Sequence, residues 1–345
     1  MTGDFITLGI ETSCDDTAVA LLRGANGVLC DLTSSQTAIH SPFGGVLPEL
    51  ASRKHQEAVI PLIREALSCA GLSPRDVSLI AVTAGPGLMG SLLVGVMTAK
   101  ALSQGWGVPL IGVNHLEGHM FANVLTHPDL KPPFLCLVVS GGHTEMISAG
   151  GDRDYVLLGS TRDDAAGEAY DKAAKLLGLG YPGGPEIECC AADGNERAFA
   201  FPVGMKGTKE VEFSFSGMKT SLRTLVERTR ANGDEIPVPD ICASFQRAVT
   251  EALLSKTRLA VQKTGVKKVA LSGGVAANTA LREGLTELGK ENGWEVFLPP
   301  KRCCTDNALM IAAAGYAAYA SGERSDLSLV PDPNWSAWRE SASGV

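Results

Sequence analysis

The sequence predicts an α/β protein built on mixed sheets, and three observations support that prediction. Strand-like apolar runs alternate with helical runs along nearly the whole chain. Glycines such as Gly273 and Gly274 stand where an apolar strand gives way to a helix. Two segments, LGIETSCDDTAVALL and CLVVSGGHTEMIS, repeat the order apolar strand, small polar turn, apolar strand. That repetition indicates two related halves.

The elements follow from these runs in chain order. Apolar runs predict the first strands at Ile6–Ile10, Ala18–Leu22 and Val28–Thr33. A helix is expected over Pro48–Cys69, with a kink or break at Pro61. Further strands are predicted at Val77–Thr83, Leu110–Val113, Phe134–Val139, Met146–Ser148, Tyr155–Leu158 and Lys268–Leu271. Further helices are predicted at Ser91–Leu102, Leu116–Leu125, Ala165–Leu177, Ile241–Gln262, Ala277–Asn292 and Asn307–Ala320.

The segment from His127 to Pro133 is polar and rich in proline, which is typical of a domain boundary. We therefore expect residues 1–131 to form a first domain and residues 132–345 a second. The stretch from Lys206 to Asp240 has the weakest periodicity of any long segment. We expect it to be an excursion from the second domain.

The stretch between Asp76 and Lys100 carries no charge and is long enough to span a bilayer. It breaks at Gly85-Pro86-Gly87, so it predicts a buried strand, a tight turn and a buried helix from about Ser91, with no membrane association. Nine cysteines, an odd number, indicate a reducing compartment rather than a disulfide framework. The start of the sequence lacks the features of a signal peptide, and a cytoplasmic location is expected.

The net charge restricts any contact with nucleic acid. Thirty basic against 38 acidic residues give a formal charge of −8, so a nucleic acid must meet a local patch or a partner protein. From Pro202 to Asn232, six basic residues stand against three acidic ones and are interleaved with Phe213 and Phe215. A phosphate-contacting patch and an ordinary solvated face both remain open. The six are Lys206, Lys209, Lys219, Arg223, Arg228 and Arg230.

Three turns rich in small residues are candidate phosphate sites. Two lie in the repeated segments, where Gly and Ser allow backbone N–H groups to face an anion. The third follows a strand at Ser272-Gly273-Gly274, and the helix after it carries Asn278 in its first turn. Either of the first two alone is equally a simple hairpin. Together the three predict a nucleotide held in a cleft between two domains.

The segment NHLEGHM contains His115 and His119 at a spacing of four residues, which places both imidazoles on one helix face. Such a pair either binds a metal or forms two polar spots on a surface. The metalloprotease signature H-E-x-x-H is not satisfied, because Glu117 lies about 200° around the helix from His115 rather than about 100°.

The sequence resembles the TsaD family, the bacterial tRNA threonylcarbamoyltransferases once described as sialoglycoprotein endopeptidases, over nearly its whole length. The blocks that carry the resemblance are GIETSCDDTAVALL, HSPFGGVLPELASRKH, AGPGLMGSLLVG, VNHLEGHM, LVVSGGHTEM, DDAAGEAYDKAAKLLGLGYPGGP, FSFSGMKTSL, SGGVAANTALR and CTDNALMIA. The resemblance implies an actin/Hsp70/sugar-kinase (ASKHA) fold, with two related domains and a nucleotide between them.

The resemblance also implies a metal site and a reaction. His115, His119 and Asp306 would bind one divalent ion per subunit, Fe(2+) or Zn(2+). The late helix near residues 306–321 would return to this interdomain site. Threonylcarbamoyl-AMP would be attacked by N6 of adenosine 37 in tRNAs that read codons beginning with adenine, which forms threonylcarbamoyladenosine (t6A) and releases AMP. The metal would polarise the carbamoyl carbonyl.

The resemblance assigns the other site residues by matching positions. The turn approaching phosphate and carbamoyl groups would comprise Val138, Val139, Ser140, Gly141, Gly142 and His143. Asp171 and Glu188 would bind ribose hydroxyls, Gly184 would admit the nucleoside, and Asn278 would read an adenine edge. Without the family pattern, Asp171 would count as an ordinary exposed carboxylate. Candidate general bases in the first hairpin are Glu11, Asp15 and Asp16, any one of which could instead only cap the turn.

The implied partners are tRNA, a TsaB-like paralogue that pairs with the first domain, and a TsaE-like ATPase. The ending PDPNWSAWRESASGV departs from the basic, proline-rich ending of many relatives. The departure puts partner or tRNA contact at that end in doubt and is expected to leave the metal and nucleotide assignments untouched.

Two rival classes are less consistent with the sequence. GPGLMG is a literal G-x-G-x-x-G between a strand and a helix, but the ribose-binding acid of a dehydrogenase is missing from the end of the next strand, which ends in Asn114. A non-catalytic, nucleotide-binding regulator of a tRNA-modification complex is the alternative function. Retention of His115, His119 and Asp306 argues against it.

Overall fold

The computed structural model describes residues 4–151 and 153–340, and it confirms the α/β class. Groups of strands and groups of helices follow one another along the chain. The strands are β1 (Ile6–Glu11), β2 (Asp16–Arg23), β3 (Gly27–Ser35), β4 (Leu79–Gly85), β5 (Leu110–Asn114), β6 (Phe134–Val139), β7 (Thr144–Gly151), β8 (Asp154–Ser160), β9 (Lys268–Ser272), β10 (Glu295–Phe297) and β11 (Arg339–Glu340). The helices are α1 (Thr37–His40), α2 (Pro48–Cys69), α3 (Met89–Trp106), α4 (His115–Thr126), α5 (Ala166–Leu177), α6 (Gly183–Ala191), α7 (Ser216–Ala231), α8 (Val238–Thr264), α9 (Thr279–Asn292) and α10 (Ala308–Ala320).

The two sheets share one topology. The first has the order β3-β2-β1-β4-β5, and the second has β10-β9-β6-β7-β8-β11. In each, three consecutive strands pair antiparallel, and two later strands add in parallel beside the first of the three. This correspondence explains the sequence repetition, since β1-turn-β2 and β6-turn-β7 are equivalent hairpins.

The chain forms two compact units. Of the described residues, the first contains those from Asp4 to Asp129 together with Thr305–Ala337, and the second contains those from Leu130 to Cys304 together with 338–340. The predicted division at residue 131 gave the whole C-terminal part to the second domain. The difference arises because α10 is apolar on every side and packs directly on the first sheet. The packing is so close that a Cβ on Gly9 would lie 2.3 Å from the Ala308 carbonyl oxygen.

Several elements differ from those expected or were not foreseen. Helix α2 continues unbroken through Pro61, because its buried face, which includes Val59 and Ile63, packs on both sides of the proline. The stretch from Lys206 to Asp240 contains the 16-residue helix α7, held by a narrow row of buried apolar residues. Helix α6 and strand β10 were not predicted. Among the described residues, no helix is long and apolar enough to cross a membrane.

Candidate functional site

A group of three residues that could hold a metal ion lies in the first unit, where the starts of α4 and α10 meet. His115 and His119 occupy the first two turns of α4, and Asp306 directly precedes the capping residue of α10. The Nε2 atoms of His115 and His119 lie 3.5 and 3.4 Å from Asp306 Oδ1. One ligand atom from each residue falls within 4.8 Å of the other two, so the three can hold a single ion.

An asparagine caps each of these helices. The Asn114 Oδ1 atom accepts hydrogen bonds from the backbone N–H groups of Leu116 and Glu117, and Asn307 Oδ1 accepts one from Met310. Each ligand or ligand pair therefore lies at a helix N-terminus whose first turn is fixed by a side chain. Sequence reasoning missed both asparagines, although each stands directly beside a ligand.

Glu11 lies behind His115 at the end of β1. Its Oε2 atom is 3.1 Å from His115 Nδ1 and accepts a hydrogen bond of 2.5 Å from the Thr83 hydroxyl. Its Oε1 atom accepts from the Ser13 backbone N–H at 2.5 Å. A buried carboxylate on the far nitrogen of a ligand histidine is the usual way to fix the ring and its tautomer. Thr83 was not predicted to belong to the site.

The charges of Glu11, His115 and Asp306 shift one another's protonation. Burial lowers the pKa of His115, but the carboxylates of Asp306 and Glu11 outweigh burial and raise it to about 9. Burial raises the pKa of the Glu11 carboxyl, and the neighbouring His115 more than offsets that effect, so the pKa lies below its usual value. Burial lowers the pKa of His119. Favourable contacts with two carboxylates thus compensate for the buried imidazole of His115.

The residues present fit a divalent ion. His119 is fully buried, and both of its ring nitrogens lack a hydrogen bond of good geometry. A buried imidazole in that state is costly in free energy unless another ligand takes its lone pair. Two imidazoles and one carboxylate are the donor types that Fe(2+) and Zn(2+) prefer. The interpretation of NHLEGHM as two surface polar spots does not agree with this burial.

The other two carboxylates of the first hairpin differ from Glu11. Burial raises the pKa of Asp16 to about 6, with a smaller upward contribution from Asp306. The Asp16 Oδ1 atom is buried and has no hydrogen-bond partner. Burial also raises the pKa of Asp15. A carboxylate with a pKa near 6 retains proton affinity at neutral pH, as a general base requires.

The predicted phosphate turn lies in the second unit between β6 and β7. Val138 and Val139 end the buried strand, and the Ser140 N–H donates to the His143 carbonyl oxygen at 2.8 Å. A Cβ added to Gly141 or Gly142 would meet no atom within 4 Å, so the turn faces open space. The β9 loop lies close by in the same unit. Gly273 has a φ of +90°, and a Cβ there would lie 2.4 Å from the Val139 carbonyl oxygen, so this crossing requires glycine.

Three predicted nucleotide ligands also hold helix ends. Asp171 Oδ1 accepts from the Gly183 N–H at 2.7 Å, which fixes the start of α6. Glu188 Oε1 accepts from the Thr279 N–H at 2.9 Å at the start of α9. The side-chain oxygen of Asn278 caps α9.

Asn278 does not present the predicted adenine-reading edge. Its Oδ1 atom accepts from the Leu281 N–H, and its amide nitrogen donates to Gln246 Oε1 at 2.8 Å and contacts Glu188 Oε2 at 3.4 Å. Both ends of the amide are thus already hydrogen-bonded within the protein. Sequence reasoning could not distinguish this role, because asparagine is common both at helix N-caps and in base recognition.

Adjacent glycines at the start of α6 have opposite surroundings. A Cβ on Gly183 would lie 2.6 Å from Asp171 Cα and 2.7 Å from the Tyr170 carbonyl oxygen, whereas a Cβ on Gly184 would meet no atom within 4 Å. Gly183 therefore serves close packing of α5 on α6. Gly184 borders open space, as a residue that admits a ligand must.

The segment from Pro202 to Asn232 forms the predicted basic patch only in part. Phe213 and Phe215 are almost fully buried in the second core, so they are not available to stack on bases. Lys206 is paired with Glu251 at 2.7 Å. Arg223, Arg228 and Arg230 lie exposed on α7 and retain the character of a basic surface.

The fold defines the class of protein. Component A of (R)-2-hydroxyglutaryl-CoA dehydratase from Acidaminococcus fermentans superposes with a TM-score of 0.54 at 17% identity, over 92% of this chain and 99% of that one. Full-length HypF superposes with a TM-score of 0.60 at 16% identity, over 97% of this chain and 47% of that one. At these identities the likeness concerns the fold alone, and the fold is of the ASKHA type, as expected.

The sequence relatives define the family. The sequence model of TsaD, tRNA N6-adenosine threonylcarbamoyltransferase, matches residues 27–313. The tRNA N6-adenosine threonylcarbamoyltransferase of Clostridioides difficile (strain 630) is 49% identical over 331 residues, which cover 96% of this chain and 98% of the relative. That of Thermosipho africanus is 50% identical over 329 residues, which cover 95% and 99%. The chain belongs to the TsaD family of tRNA-modifying acyltransferases, which confirms the resemblance.

Proposed function

We propose that this chain transfers the threonylcarbamoyl group from threonylcarbamoyl-AMP to N6 of adenosine 37 in tRNA, which forms t6A and releases AMP. Membership of the TsaD family supports this reaction. The observation that assigns it to particular residues is the convergence of His115, His119 and Asp306, with Glu11 behind His115. The compartment consistent with this substrate is the cytoplasm.

The three ligands would hold one Fe(2+) or Zn(2+) ion. When bound, such an ion supplies Lewis-acid polarisation of the donor carbonyl. Glu11 would keep the His115 ring in one orientation through Nδ1, and its own carboxylate would stay fixed by Thr83 and the Ser13 N–H. We assign Glu11 this orienting role rather than proton transfer, because both of its oxygens already accept hydrogen bonds.

The nucleotide would bind in the second unit. The open turn at Ser140, Gly141 and Gly142 would receive phosphate through its backbone N–H groups, with His143 at its end. Asp171 and Glu188 would accept from the ribose hydroxyls while they hold the starts of α6 and α9. Asn278 would contribute by positioning Glu188.

The attacking amine of adenosine must lose a proton during transfer. Asp16 is the preferred acceptor, because burial raises its pKa to about 6 and one of its oxygens has no hydrogen-bond partner. Asp15, whose pKa is also raised by burial, is the second candidate. A proton leaving N6 would thus pass to the first hairpin.

A TsaB-like paralogue would bind the apolar row on α3, formed by Met89, Leu93 and Met97. These residues are 51%, 45% and 53% exposed and recur every four residues on one face. Exposed rows of large apolar side chains are typical of protein interfaces. A TsaE-like ATPase would support turnover.

A reconstituted transfer tests the proposal. The full chain would be mixed with its paralogue, the ATPase, threonylcarbamoyl-AMP and unmodified tRNA, and digested nucleosides would be analysed by mass spectrometry. We expect t6A with the native chain and with His127→Ala at the end of α4, and almost none with His115→Ala. Absence of t6A from a folded native chain with active partners would contradict the proposed function.

A further inference from the structure

The C-terminal segment of the first unit packs beside the metal-site helix. The Asp332 N–H donates to the Ala84 carbonyl oxygen at 2.8 Å, at the end of β4. The Asn114 amide donates from Nδ2 to the Trp335 carbonyl oxygen at 2.9 Å. Asn114 is the residue that directly precedes the ligand His115, so this segment contacts the start of α4 without supplying a ligand.

The contact is a close approach of two backbones. Gly85 has a φ of +156°, and a Cβ there would lie 1.9 Å from the Asp332 carbonyl oxygen and 3.1 Å from Trp335 Cβ. Any other residue at position 85 would displace the segment. The Trp335 side chain also packs against the core of the first unit. Residues 332–335 are therefore seated in a defined position.

Asn114 uses both ends of its amide, and it is only 1% exposed. Its oxygen caps α4 through the N–H groups of Leu116 and Glu117, and its nitrogen donates to Trp335. Capping alone requires only an acceptor, and serine or aspartate caps a helix about as well as asparagine. The amide donor is the additional feature, and its partner is the C-terminal segment.

We propose that residues 332–335 form a brace for the metal-site helix and that Asn114 is the positioning residue that joins them. The inference rests on the metal site of the proposed function. Metal sites tolerate deviations of only about 0.2 Å in ligand distance. A shift at the start of α4 moves His115 directly, so loss of the brace weakens metal binding although every ligand remains. The proposal thus connects the C-terminal ending to the metal site without changing which residues are assigned as its ligands.

Asn114→Ser tests the brace, because serine keeps the capping acceptor and removes the amide donor. Cobalt(II) would be titrated into the metal-free full-length chain, with affinity and the visible absorption spectrum of the bound ion as readouts. We expect affinity to fall by about tenfold, with an altered spectrum and a nearly unchanged thermal midpoint. The control Asn292→Ser removes an amide donor at the end of α9, where Nδ2 donates to the Leu288 carbonyl oxygen at 2.8 Å, and should keep native cobalt affinity.

Trp335→Ala provides an independent perturbation: alanine keeps the backbone carbonyl that accepts from Asn114 but removes the indole that packs the segment against the core of the first unit. It should also weaken cobalt binding, and the double variant should be no weaker than the weaker single variant, because both act through one contact. Native affinity and spectrum in folded Asn114→Ser would overturn the brace. If that variant does not fold, native affinity in Gly85→Ala, whose methyl group would displace residues 332–335, would overturn it. Failure of the native chain to bind cobalt would overturn the metal site itself and the brace with it.

Discussion

The surroundings of His115 and His119 could not be predicted from the spacing of the two residues. Spacing places His115 and His119 on one helix face, and the resemblance adds Asp306, so the convergence of these three residues could be predicted. The sequence does not reveal that His119 is fully buried or that Glu11 lies 3.1 Å from His115 Nδ1. Those facts depend on the contact of β1, α4 and α10 in the folded unit. Any two of these elements are more than a hundred residues apart in the sequence.

Gly184 and Gly183 give a matched test of the nucleotide site at the residue scale. Gly184→Ala should fold normally and bind nucleotide at least about tenfold more weakly, since its methyl group would occupy open space beside the proposed nucleoside. Gly183→Ala should instead lose about 1–3 kcal/mol of stability through overpacking against Asp171. Thermal midpoints and AMP titrations of both variants would check this. Unchanged AMP affinity in Gly184→Ala would argue against the site.

At the scale of elements, helices and strands with many apolar residues were predicted well, whereas a helix with only a few apolar residues on one face was missed. The bounds of β6 and α2 were predicted to the residue, since strong apolar patterns and flanking prolines mark them. Helix α7 escaped prediction because it buries only a thin row, Met218, Leu222 and Val226, among charged residues and threonines. Its start is also fixed by a residue distant in sequence, Asp163.

Asp163 should stabilise α7 in a pH-dependent way. Its carboxylate accepts from the hydroxyls of Ser214 and Ser216 and from the Phe215 N–H at 2.5, 2.6 and 2.7 Å. Burial raises its pKa, but the hydrogen bonds outweigh burial and hold the pKa below its usual value. Its contribution is therefore complete above the unfolded-state pKa, near 4, and is lost as pH falls through the lower folded-state value.

Asp163→Asn should consequently lower stability at pH 7 by about 1 kcal/mol and should match the native chain at strongly acidic pH. Thermal midpoints of the two chains from pH 7 downward would measure the difference. The control Asp193→Asn, at another exposed carboxylate, should leave the midpoint unchanged. A constant difference across the whole range would show that the ionised carboxylate has no part in holding α7.

The apolar row on α3 is the surface that we propose binds the TsaB-like partner. Leu93→Asp should weaken association with the TsaB-like partner by at least about tenfold, because burying an unpaired carboxylate in an interface is unfavourable. Leu327→Asp makes the same exchange at another exposed leucine and should associate normally. Sedimentation of each variant with the partner would distinguish them, and native affinity in Leu93→Asp would remove α3 from the interface.

At the scale of the molecule, the ASKHA architecture and the return of the late helix to the metal-ligand residues followed from the resemblance, while the assignment of Thr305–Ala337 to the first unit did not. The second half of the sequence continues without a boundary signal near Thr305, yet α10 returns to the first sheet because an apolar helix of small residues fits closely against it. Sequence order alone cannot show which of two similar sheets such a helix will cover.

Because the net charge of the chain is −8, tRNA must contact a local basic surface. If the exposed face of α7 contacts tRNA phosphate, Arg223→Ala should weaken tRNA binding and reduce the slope of log affinity against log salt by about 1. Lys290→Ala removes an exposed charge from α9 and should leave the slope unchanged. Binding titrations at several salt concentrations would decide, and equal slopes for all chains would move the contact away from α7.

The central claim, that His115, His119 and Asp306 hold a metal needed for transfer, is tested most directly by removing the metal. The native chain would be stripped with a chelator, and t6A formation would be measured before and after Fe(2+) or Zn(2+) is restored. We predict a fall of about a hundredfold or more on stripping and recovery on restoring the metal in the native chain, with no recovery in His119→Ala. Full transfer by a folded, metal-free native chain would contradict the account.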